Sequence, residues 1–282
     1  MNNTYKVCIK LNYSQESVTK QAEITKLINF IHSVMSKAGW RESVDTDTSI
    51  DYVFSIGGDG TMLHTMQDHV VTKSIVVGIN AGNVGFLTPY NIENVYDMSI
   101  FKFLEESFQP RVEHRSILKH SFNNRPEIGM AVNEYTFTAD QVNHVLDFSI
   151  EVDYKGHISK AGHYKANALL ISGPCGSTAY NMNAGGAIVD PTVRCMQIMM
   201  VAPTILGIRP LIIGRNSIIR LKFHNNAKVF IDGQPHTDIP VTEDETFSIE
   251  LLPEESRVLL PDDFNFYSML STKLHWNNGS GV

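Results

Sequence analysis

The sequence predicts two domains, an α/β domain with a parallel sheet followed by a second domain rich in β-structure. Up to about residue 108, apolar strand-like runs alternate with segments whose apolar residues recur at helical spacing, which is typical of βαβ units. From residue 111 to about 252, short segments alternate between apolar and polar residues, as antiparallel strands do. Two glycine-rich turns each follow a strand of the first domain. Ligands of parallel sheets bind beyond the carboxyl ends of the strands, so both turns are expected at one functional edge.

The first domain, expected to span residues 1–110, is an alternation of strands and helices. Apolar runs predict the strands, and apolar residues that fall on one face predict the helices. Gly39 can end the first helix because glycine readily accepts the backbone conformation that closes a helix. In chain order, the predicted elements are a strand at 5–11, a helix at 14–38, a strand at 51–56, a helix at 61–70, a strand at 74–80 and a helix at 91–108.

The second domain is expected to span residues 111–255, and a C-terminal segment, residues 256–282, follows it. Within the second domain, Asp232-Gly233-Gln234 first predicts a hairpin turn. Within the C-terminal segment, the apolar residues of 264–276 recur at helical spacing, so we expect a helix that packs back onto the rest of the chain. The polar residues 277–282 are expected to form a loose tail.

The composition indicates a globular chain with no nucleic-acid or membrane signal. Of the 282 residues, 43% are hydrophobic and 19% are charged, which excludes a disordered chain. The net charge is −7 and no long basic stretch occurs, so a nucleic-acid platform is not expected. No apolar segment is long enough to span a bilayer. Cys8, Cys175 and Cys195 lie too far apart for a disulfide framework or a zinc site, and we therefore expect a cytoplasmic protein.

A glycine-rich corner follows the second predicted strand. Gly57, Gly58 and Gly60 allow a ligand to approach the backbone closely, and the helix that starts there directs free N–H groups at the same point. Such a corner suits phosphate. The intervening Asp59 suits a base for a hydroxyl group or a contact to Mg²⁺, although it can also simply cap the helix. His64, about one helical turn later, either faces the same phosphates or is an ordinary, partly exposed histidine.

Three further motifs follow this corner along the chain. They are Val77-Gly78-Ile79-Asn80-Ala81-Gly82-Asn83-Val84-Gly85-Phe86-Leu87, then Val132-Asn133-Glu134, then Ser172-Gly173-Pro174-Cys175-Gly176-Ser177-Thr178-Ala179-Tyr180 with Gly185-Gly186 beyond it. With these motifs in this order and at these separations, nearly the whole chain resembles the NAD kinase (ATP-NAD kinase) family.

The resemblance implies a Rossmann-like α/β N-terminal domain with a parallel sheet, an all-β C-terminal domain, and an active site between them. It implies phosphoryl transfer from ATP to the 2′-hydroxyl of the adenosine ribose of NAD, which gives NADP. The divalent metal ion, normally Mg²⁺, would be carried by ATP rather than by a separate protein site. The family is usually homo-oligomeric, and its partners are the small molecules NAD and ATP.

The resemblance also assigns roles to individual residues. Asp59 would orient and deprotonate the ribose hydroxyl, and Gly57, Gly58 and Gly60 would donate backbone N–H groups to the phosphates. The expected nucleotide-binding residues are His64, Phe86, Asn133, Glu134, Lys165, Asn167, Thr178, Ala179, Tyr180, Asn183 and Gln234.

Several of these residues have a plainer interpretation. Phe86 and Tyr180 can be core residues, and Asn133-Glu134 can be an ordinary turn at a strand end. Ser177 or Thr178 can be the N-cap residue of a helix.

The segment 165–169 departs from the family. These kinases usually have Arg-Gly-Asp-Gly-Leu, whereas this chain has Lys165-Ala166-Asn167-Ala168-Leu169. Asn167 keeps the shape but loses the charge of the aspartate expected at the nicotinamide end of NAD. Since the Asp59 corner is intact, we expect an active kinase with altered NAD affinity. The alternatives are a non-catalytic sensor or partner subunit that binds NAD or NADP and, less favoured, a lipid kinase, which would share the Gly-Gly-Asp-Gly corner but lack Asn133-Glu134.

Overall fold

The computed structural model describes residues 5–11, 18–82, 85–92, 95, 110–126, 128–141, 144–241 and 245–275. The chain divides into two compact units, residues 1–114 together with 256–282, and residues 115–255. The helix expected at 91–108 and the tail expected at 277–282 lie outside the described residues, apart from residues 91, 92 and 95. No helix within the described part of the chain is long and apolar enough to cross a membrane.

A parallel sheet lies at the centre of the first unit, as predicted. Its strands are β1 (Lys6–Leu11), β2 (Arg41–Glu42), β3 (Tyr52–Gly57), β4 (Ile75–Asn80) and β5 (Tyr90–Asn91), in the order β2-β1-β3-β4-β5. Every residue of β3 and β4 is buried, which explains why both strands are apolar runs rather than alternating segments. Gly57 lies opposite Asn80 in the register of the two strands. The two glycine-rich turns therefore start at the same edge of the sheet.

Among the described residues, the first unit contains the helices α1 (Val18–Ala38), α2 (Asp59–His69) and α4 (Phe266–Leu274), while the short α3 (Tyr180–Asn183) belongs to the second unit. α1 is amphipathic, and its apolar face packs into one core with residues of β1, β3 and β4. The buried residues of that face are Ile24, Leu27, Ile31 and Met35. Full burial of such a side chain contributes about 1.5–3 kcal/mol, so this face determines how α1 attaches to the sheet.

The C-terminal segment contains the expected helix within narrower bounds. The side-chain oxygen of Asn265 accepts hydrogen bonds from the backbone N–H groups of Tyr267 (2.9 Å) and Ser268 (3.0 Å). This N-cap starts α4 at Phe266, two residues later than the apolar pattern predicts. His275 follows with a left-handed φ of 52°, which ends the helix.

The second unit is built from antiparallel strands, as predicted. The strands from β6 onward are β6 (Val112–Phe122), β7 (Ile128–Ala131), β8 (Glu134–Ala139), β9 (Leu146–Tyr154), β10 (His157–Ala166), β11 (Ala168–Ser172), β12 (Cys195–Val201), β13 (Leu211–Gly214), β14 (Ser217–Phe223), β15 (Ala227–Ile231), β16 (Gln234–Val241) and β17 (Thr246–Leu259). One sheet has the order β13-β12-β11-β8-β15-β16. A second layer contains β10, β9, β14 and the first residues of β17. The end of β17 belongs to the first unit, where Arg257 and Val258 pair in parallel with β4.

The core of the second unit lies between these two layers. Phe137 of the six-stranded sheet contacts Phe223 of β14 with 5.1 Å between ring centroids, and Phe247 of β17 with 5.0 Å. All three rings are fully buried. Since every second residue of a strand points inward, the alternating sequence pattern of this unit follows from this packing.

Candidate functional site

Asp59 lies where β3 ends and α2 begins. Gly58 is the N-cap residue of α2, and Asp59 is its first residue. The Asp59 carboxylate accepts hydrogen bonds from the backbone N–H groups of Phe86 (2.8 Å) and Leu87 (3.2 Å). Asp59 therefore does not cap its own helix. Its carboxylate holds the second glycine-rich turn instead.

The second glycine-rich turn approaches Asp59 closely because it contains Gly85. A Cβ atom at Gly85 would lie 1.7 Å from Oδ1 of Asp59, so no other residue fits without displacing the carboxylate. Asn80 fixes the start of the turn, since its Oδ1 accepts from the N–H of Gly82 (2.7 Å) and its Nδ2 donates to the hydroxyl of Thr88 (2.9 Å). The carboxylate of Asp59 is thus held in one orientation by backbone groups that cannot easily move.

The start of α2, beside this carboxylate, carries two exposed glycines. Gly58 and Gly60 are exposed, and a Cβ atom at either position would meet no atom within 4 Å. His64 is also exposed, one helical turn further on. The first N–H groups of a helix lack partners within the helix and carry partial positive charge, so this open end suits an anionic ligand such as phosphate.

Lys273 of α4 is a residue of this corner that the sequence did not single out. Its Nζ donates a hydrogen bond to the carbonyl oxygen of Gly85 and lies 4.8 Å from the centre of the Phe86 ring. Burial lowers the pKa of Lys273, while the charge of Asp59 opposes that shift. Phe86 is half-buried beneath this cation rather than part of the apolar core. Lys273 lies near the end of the helix that the apolar pattern predicts at 264–276, and that pattern does not indicate a contact with Gly85.

A second group of predicted residues surrounds the turn before β8. β15 and β16 form a hairpin whose two-residue turn, Asp232-Gly233, has φ values of 49° and 77°, which confirms the predicted hairpin turn. The Asp232 carboxylate accepts from the N–H groups of Val132 (2.9 Å), Asn133 (2.7 Å) and Glu134 (3.0 Å). This one side chain therefore fixes the backbone that carries both Asn133 and Glu134.

Glu134 and Asn133 each present a buried oxygen with no hydrogen-bond partner among the described residues. These atoms are Oε2 of Glu134 and Oδ1 of Asn133. Burial raises the pKa of Glu134 to about 8, and the neighbouring charge of Asp232 adds to the shift. A buried acceptor without a donor is costly in a folded protein, so this pair indicates a place where a ligand supplies hydrogen-bond donors.

The raised pKa of Glu134 predicts a pH dependence of stability. Between its ordinary value of 4.5 and about 8, the folded chain keeps a proton that the unfolded chain has lost. This group therefore lowers the free energy of unfolding as pH rises through that window, by at most about 1.4 kcal/mol per pH unit. We expect Glu134→Gln to remove this contribution, so that its stability relative to the parent protein increases from pH 5 to pH 8. Urea unfolding at several pH values measures the difference.

Glu151→Gln, at a partly exposed glutamate of β9, is the matched control for this series. Its stability relative to the parent should change little with pH. A Glu134→Gln difference that is equally flat across the window would contradict the assignment of Glu134 as a buried, protonated acid.

The glycine-rich stretch 173–180 packs against the same turn. A Cβ atom at Gly176 would lie 2.1 Å from the carbonyl oxygen of Asn133, so the two backbones are in direct contact. Residues 175–178 form a 3₁₀ turn, in which the hydroxyl of Thr178 donates to the carbonyl of Cys175 (3.2 Å). Ser177 is buried, and its hydroxyl oxygen accepts from the N–H of Val189 (3.0 Å). Neither hydroxyl caps α3, so the interpretation of these residues as helix caps is wrong.

The remaining predicted residues are distributed around the second unit. Tyr180 is 41% exposed, so its interpretation as a core residue is wrong. Ala179 is half-buried and Asn183 is exposed, and both lie beside Tyr180 in the chain. Gln234 is exposed at the start of β16, directly after the Asp232-Gly233 turn.

The segment that departs from the family lies at the junction of β10 and β11. Lys165 forms an ion pair with Asp147, with 2.9 Å between Nζ and Oδ2. Asn167 is exposed and lines a cavity of about 590 Å³ together with residues such as His144 and Lys228. The positive charge of Lys165 is thus partly neutralised by its neighbour on β9.

Comparison with known proteins gives two matches to family models. Residues 1–108 match the ATP-NAD kinase N-terminal domain, and residues 132–251 match the ATP-NAD kinase C-terminal domain. An NAD kinase of Photorhabdus laumondii subsp. laumondii is 31% identical over 231 residues, which cover 80% of this chain and 77% of that protein. An NAD kinase of Pasteurella multocida is 32% identical over 230 residues, which cover 80% and 73%.

Two solved structures share the fold. A yeast NADH kinase complexed with NADH matches with a TM-score of 0.81 and 20% identity, covering 100% of this chain and 90% of that one. An NAD kinase from Archaeoglobus fulgidus in complex with ATP matches with a TM-score of 0.73 and 21% identity, covering 97% and 99%. At these identities the structural matches establish a common fold.

Proposed function

This chain belongs to the ATP-NAD kinase family, and we propose that it transfers the γ-phosphoryl group of ATP to the 2′-hydroxyl of the adenosine ribose of NAD, giving NADP. The observation that carries the proposal is the Asp59 corner. A carboxylate held by the N–H groups of Phe86 and Leu87 lies directly beside the exposed N-terminus of α2. Phosphoryl transfer depends on positioning and on stabilisation of negative charge, and this corner supplies both.

Asp59 acts on the acceptor hydroxyl in this proposal. Its carboxylate orients the 2′-hydroxyl and accepts its proton as the oxygen forms a bond to the γ-phosphorus. The bond from that phosphorus to the β–γ bridging oxygen breaks, and ADP leaves with the electron pair. The N–H groups of Gly58 and Gly60 stabilise the phosphate oxygens in this proposal, whereas Gly57 is buried at the end of β3 and shapes the turn. The two backbone bonds to Asp59 keep its oxygens in place, which lowers the cost of positioning the hydroxyl.

A divalent metal ion fits this corner as a companion of ATP. The Asp59 carboxylate has lone pairs beyond those used by its backbone donors, so it can contact a hydrated Mg²⁺ ion through water. The bound ion would shield the negative charge of the triphosphate. We propose that ATP carries this ion into the site.

We infer that NAD is bound by the residues around the turn before β8, which carries Asn133 and Glu134. The unpartnered oxygens of Asn133 and Glu134 accept from the adenine amino group and from ribose hydroxyls. Thr178, Ala179, Tyr180, Asn183 and Gln234 belong to segments that pack against or continue this turn. Lys165 and Asn167 lie at the nicotinamide end in this proposal, where the loss of the family aspartate alters NAD affinity.

Two further features of the proposal concern the setting of the enzyme. We propose that it works in the cytoplasm, because Cys8, Cys175 and Cys195 are buried and none of them forms a disulfide. We also propose a homo-oligomer, on the basis of the family resemblance. Size-exclusion chromatography with light scattering measures the oligomeric state.

The proposed activity is tested by one assay. Purified protein is incubated with ATP, Mg²⁺ and NAD, and a dehydrogenase specific for NADP reports product. NADP formed well above a control without ATP supports the proposal. Calorimetric binding of NAD without any NADP formation would contradict it and support a non-catalytic sensor.

Lys273 is expected to assist the Asp59 corner. Lys273→Met removes the charge above Phe86 and the donor to Gly85, both of which hold the second glycine-rich turn. Since a charge-assisted hydrogen bond contributes about 1.5–3 kcal/mol, we expect kcat/KM to fall by roughly tenfold or more. Steady-state kinetics measures this value. Lys37→Met, at an exposed lysine in the last turn of α1, is the control, and an equal effect of both changes would exclude a role for Lys273.

A further inference from the structure

Three side chains that can bind metal converge in the second unit, and none of them is a residue proposed for NAD or ATP, although one pairs with Lys165, which is such a residue. They are Asp147 of β9, His163 of β10 and His224, which directly follows β14. One ligand atom from each lies within 4.8 Å of the other two. Nε2 of His163 contacts Oδ1 of Asp147, and the two imidazole rings have centroids 4.7 Å apart.

The register of three adjacent strands brings these side chains together. β9 lies between β10 and β14, with His163 opposite Ser149 and Lys165 opposite Asp147. The backbone N–H of His224 donates to the carbonyl of Asp147 at 2.7 Å. His224 therefore lies next to Asp147 along the edge of β9 that pairs with β14, whereas His163 lies along the edge that pairs with β10. Directly opposite residues on neighbouring strands are about 5 Å apart and diagonal neighbours, such as His163 and Asp147, about 7–8 Å, which a long side chain can span. The sheet therefore brings the three ligands within reach of one another.

Two of the three ligands already have supporting contacts. Oδ2 of Asp147 is held by Nζ of Lys165 at 2.9 Å, which leaves Oδ1 directed at His163. Nε2 of His224 lies 2.8 Å from the hydroxyl of Ser149, which fixes the ring orientation. Metal ligands in proteins are typically oriented by such outer contacts to their second nitrogen or oxygen.

We propose that Asp147, His163 and His224 form a binding site for a late first-row divalent cation, with Zn²⁺ as the first candidate. Two imidazoles and one carboxylate suit Zn²⁺, Ni²⁺ or Cu²⁺, whereas Mg²⁺ prefers oxygen ligands alone. Bonds of about 2.0–2.2 Å to Zn²⁺ need ligand atoms roughly 3–3.5 Å apart, so binding would draw the three ligand atoms inward from separations of up to 4.8 Å. Since His163 and His224 are exposed, water completes the coordination. This site is distinct from the Mg²⁺ that accompanies ATP.

The first test is a calorimetric titration of the nucleotide-free protein with ZnCl₂. The second test is the visible spectrum of the protein after Co²⁺ is added. The variants are His163→Ala and His224→Ala, and the control is His157→Ala, an exposed histidine of the same strand β10. We expect one Zn²⁺ per chain in the parent and in the control. Each ligand variant should bind at least about 100-fold more weakly, because loss of an outer contact alone costs 10- to 100-fold.

The Co²⁺ spectrum separates this site from weak binding to scattered histidines. A four-coordinate Co²⁺ ion in the parent should give intense visible bands, which both ligand variants should lose and the control should keep. Circular dichroism confirms that the variants are folded. The proposal is overturned if the parent binds no Zn²⁺ tightly, or if His157→Ala weakens binding as much as His163→Ala and His224→Ala do.

Discussion

Asp59→Asn is expected to lower kcat by at least roughly 100-fold while the affinity for NAD stays nearly unchanged. The amide cannot accept the proton of the ribose hydroxyl. The amide oxygen of the variant can still accept a hydrogen bond from one of the two backbone N–H groups, those of Phe86 and Leu87. The amide NH₂ group, which replaces the second oxygen, would face the remaining N–H group and cannot accept from it. A stability loss of about 1–3 kcal/mol is therefore expected as well. Steady-state kinetics, NAD calorimetry and thermal unfolding of the same preparation measure the three quantities.

The control for this variant is Asp68→Asn on the same helix. Asp68 is exposed and pairs with Lys10 at 2.6 Å, away from the glycine-rich corner. Its kcat should remain within about twofold of the parent, since surface ion pairs contribute little. Near-normal turnover of Asp59→Asn would remove the base assignment. Asp59 would then serve only to hold the second glycine-rich turn.

Local features of the fold were predictable because their causes are local. The turn between β3 and α2 follows from glycines placed between a buried apolar run and a helical pattern. The Asp232-Gly233 turn follows from a residue pair that accepts positive φ at both positions. In each case a few neighbouring residues determine the backbone, so the sequence alone was sufficient.

The functional contacts of the same residues were not predictable because their partners are distant in the chain. Asp59 binds N–H groups 27 and 28 residues away, and Asp232 binds groups 98 to 100 residues away. Lys273 reaches the carbonyl of Gly85 across 188 residues. No periodicity or spacing encodes such contacts. The raised pKa of Glu134 has the same origin, since burial by the whole unit is its main cause.

Within the stretch 173–180, Gly176→Ala is the added methyl group that we expect to disturb the proposed NAD-binding residues most. The new Cβ atom would lie 2.1 Å from the carbonyl oxygen and 2.5 Å from the carbonyl carbon of Asn133. Asn133 cannot retreat easily, because its N–H is held by Asp232 at 2.7 Å and its carbonyl accepts from Gly173 at 3.0 Å. We expect a loss of about 1–3 kcal/mol of stability from overpacking, and a loss of NAD affinity of at least roughly tenfold.

Gly173→Ala is the matched control, because it makes the same chemical change three residues earlier. Its Cβ atom would meet the carbonyl oxygen of Val132 at 3.6 Å, an ordinary contact distance. Urea unfolding and NAD calorimetry on both variants should therefore give a near-normal Gly173→Ala protein and a weakened Gly176→Ala protein. If the two variants had equal stability but only Gly176→Ala lost NAD affinity, the shift of the Asn133 backbone would not destabilise the fold. The position of that backbone would then matter for NAD binding and not for stability. Equal NAD affinity in both variants would instead exclude Asn133 and Glu134 from the NAD site.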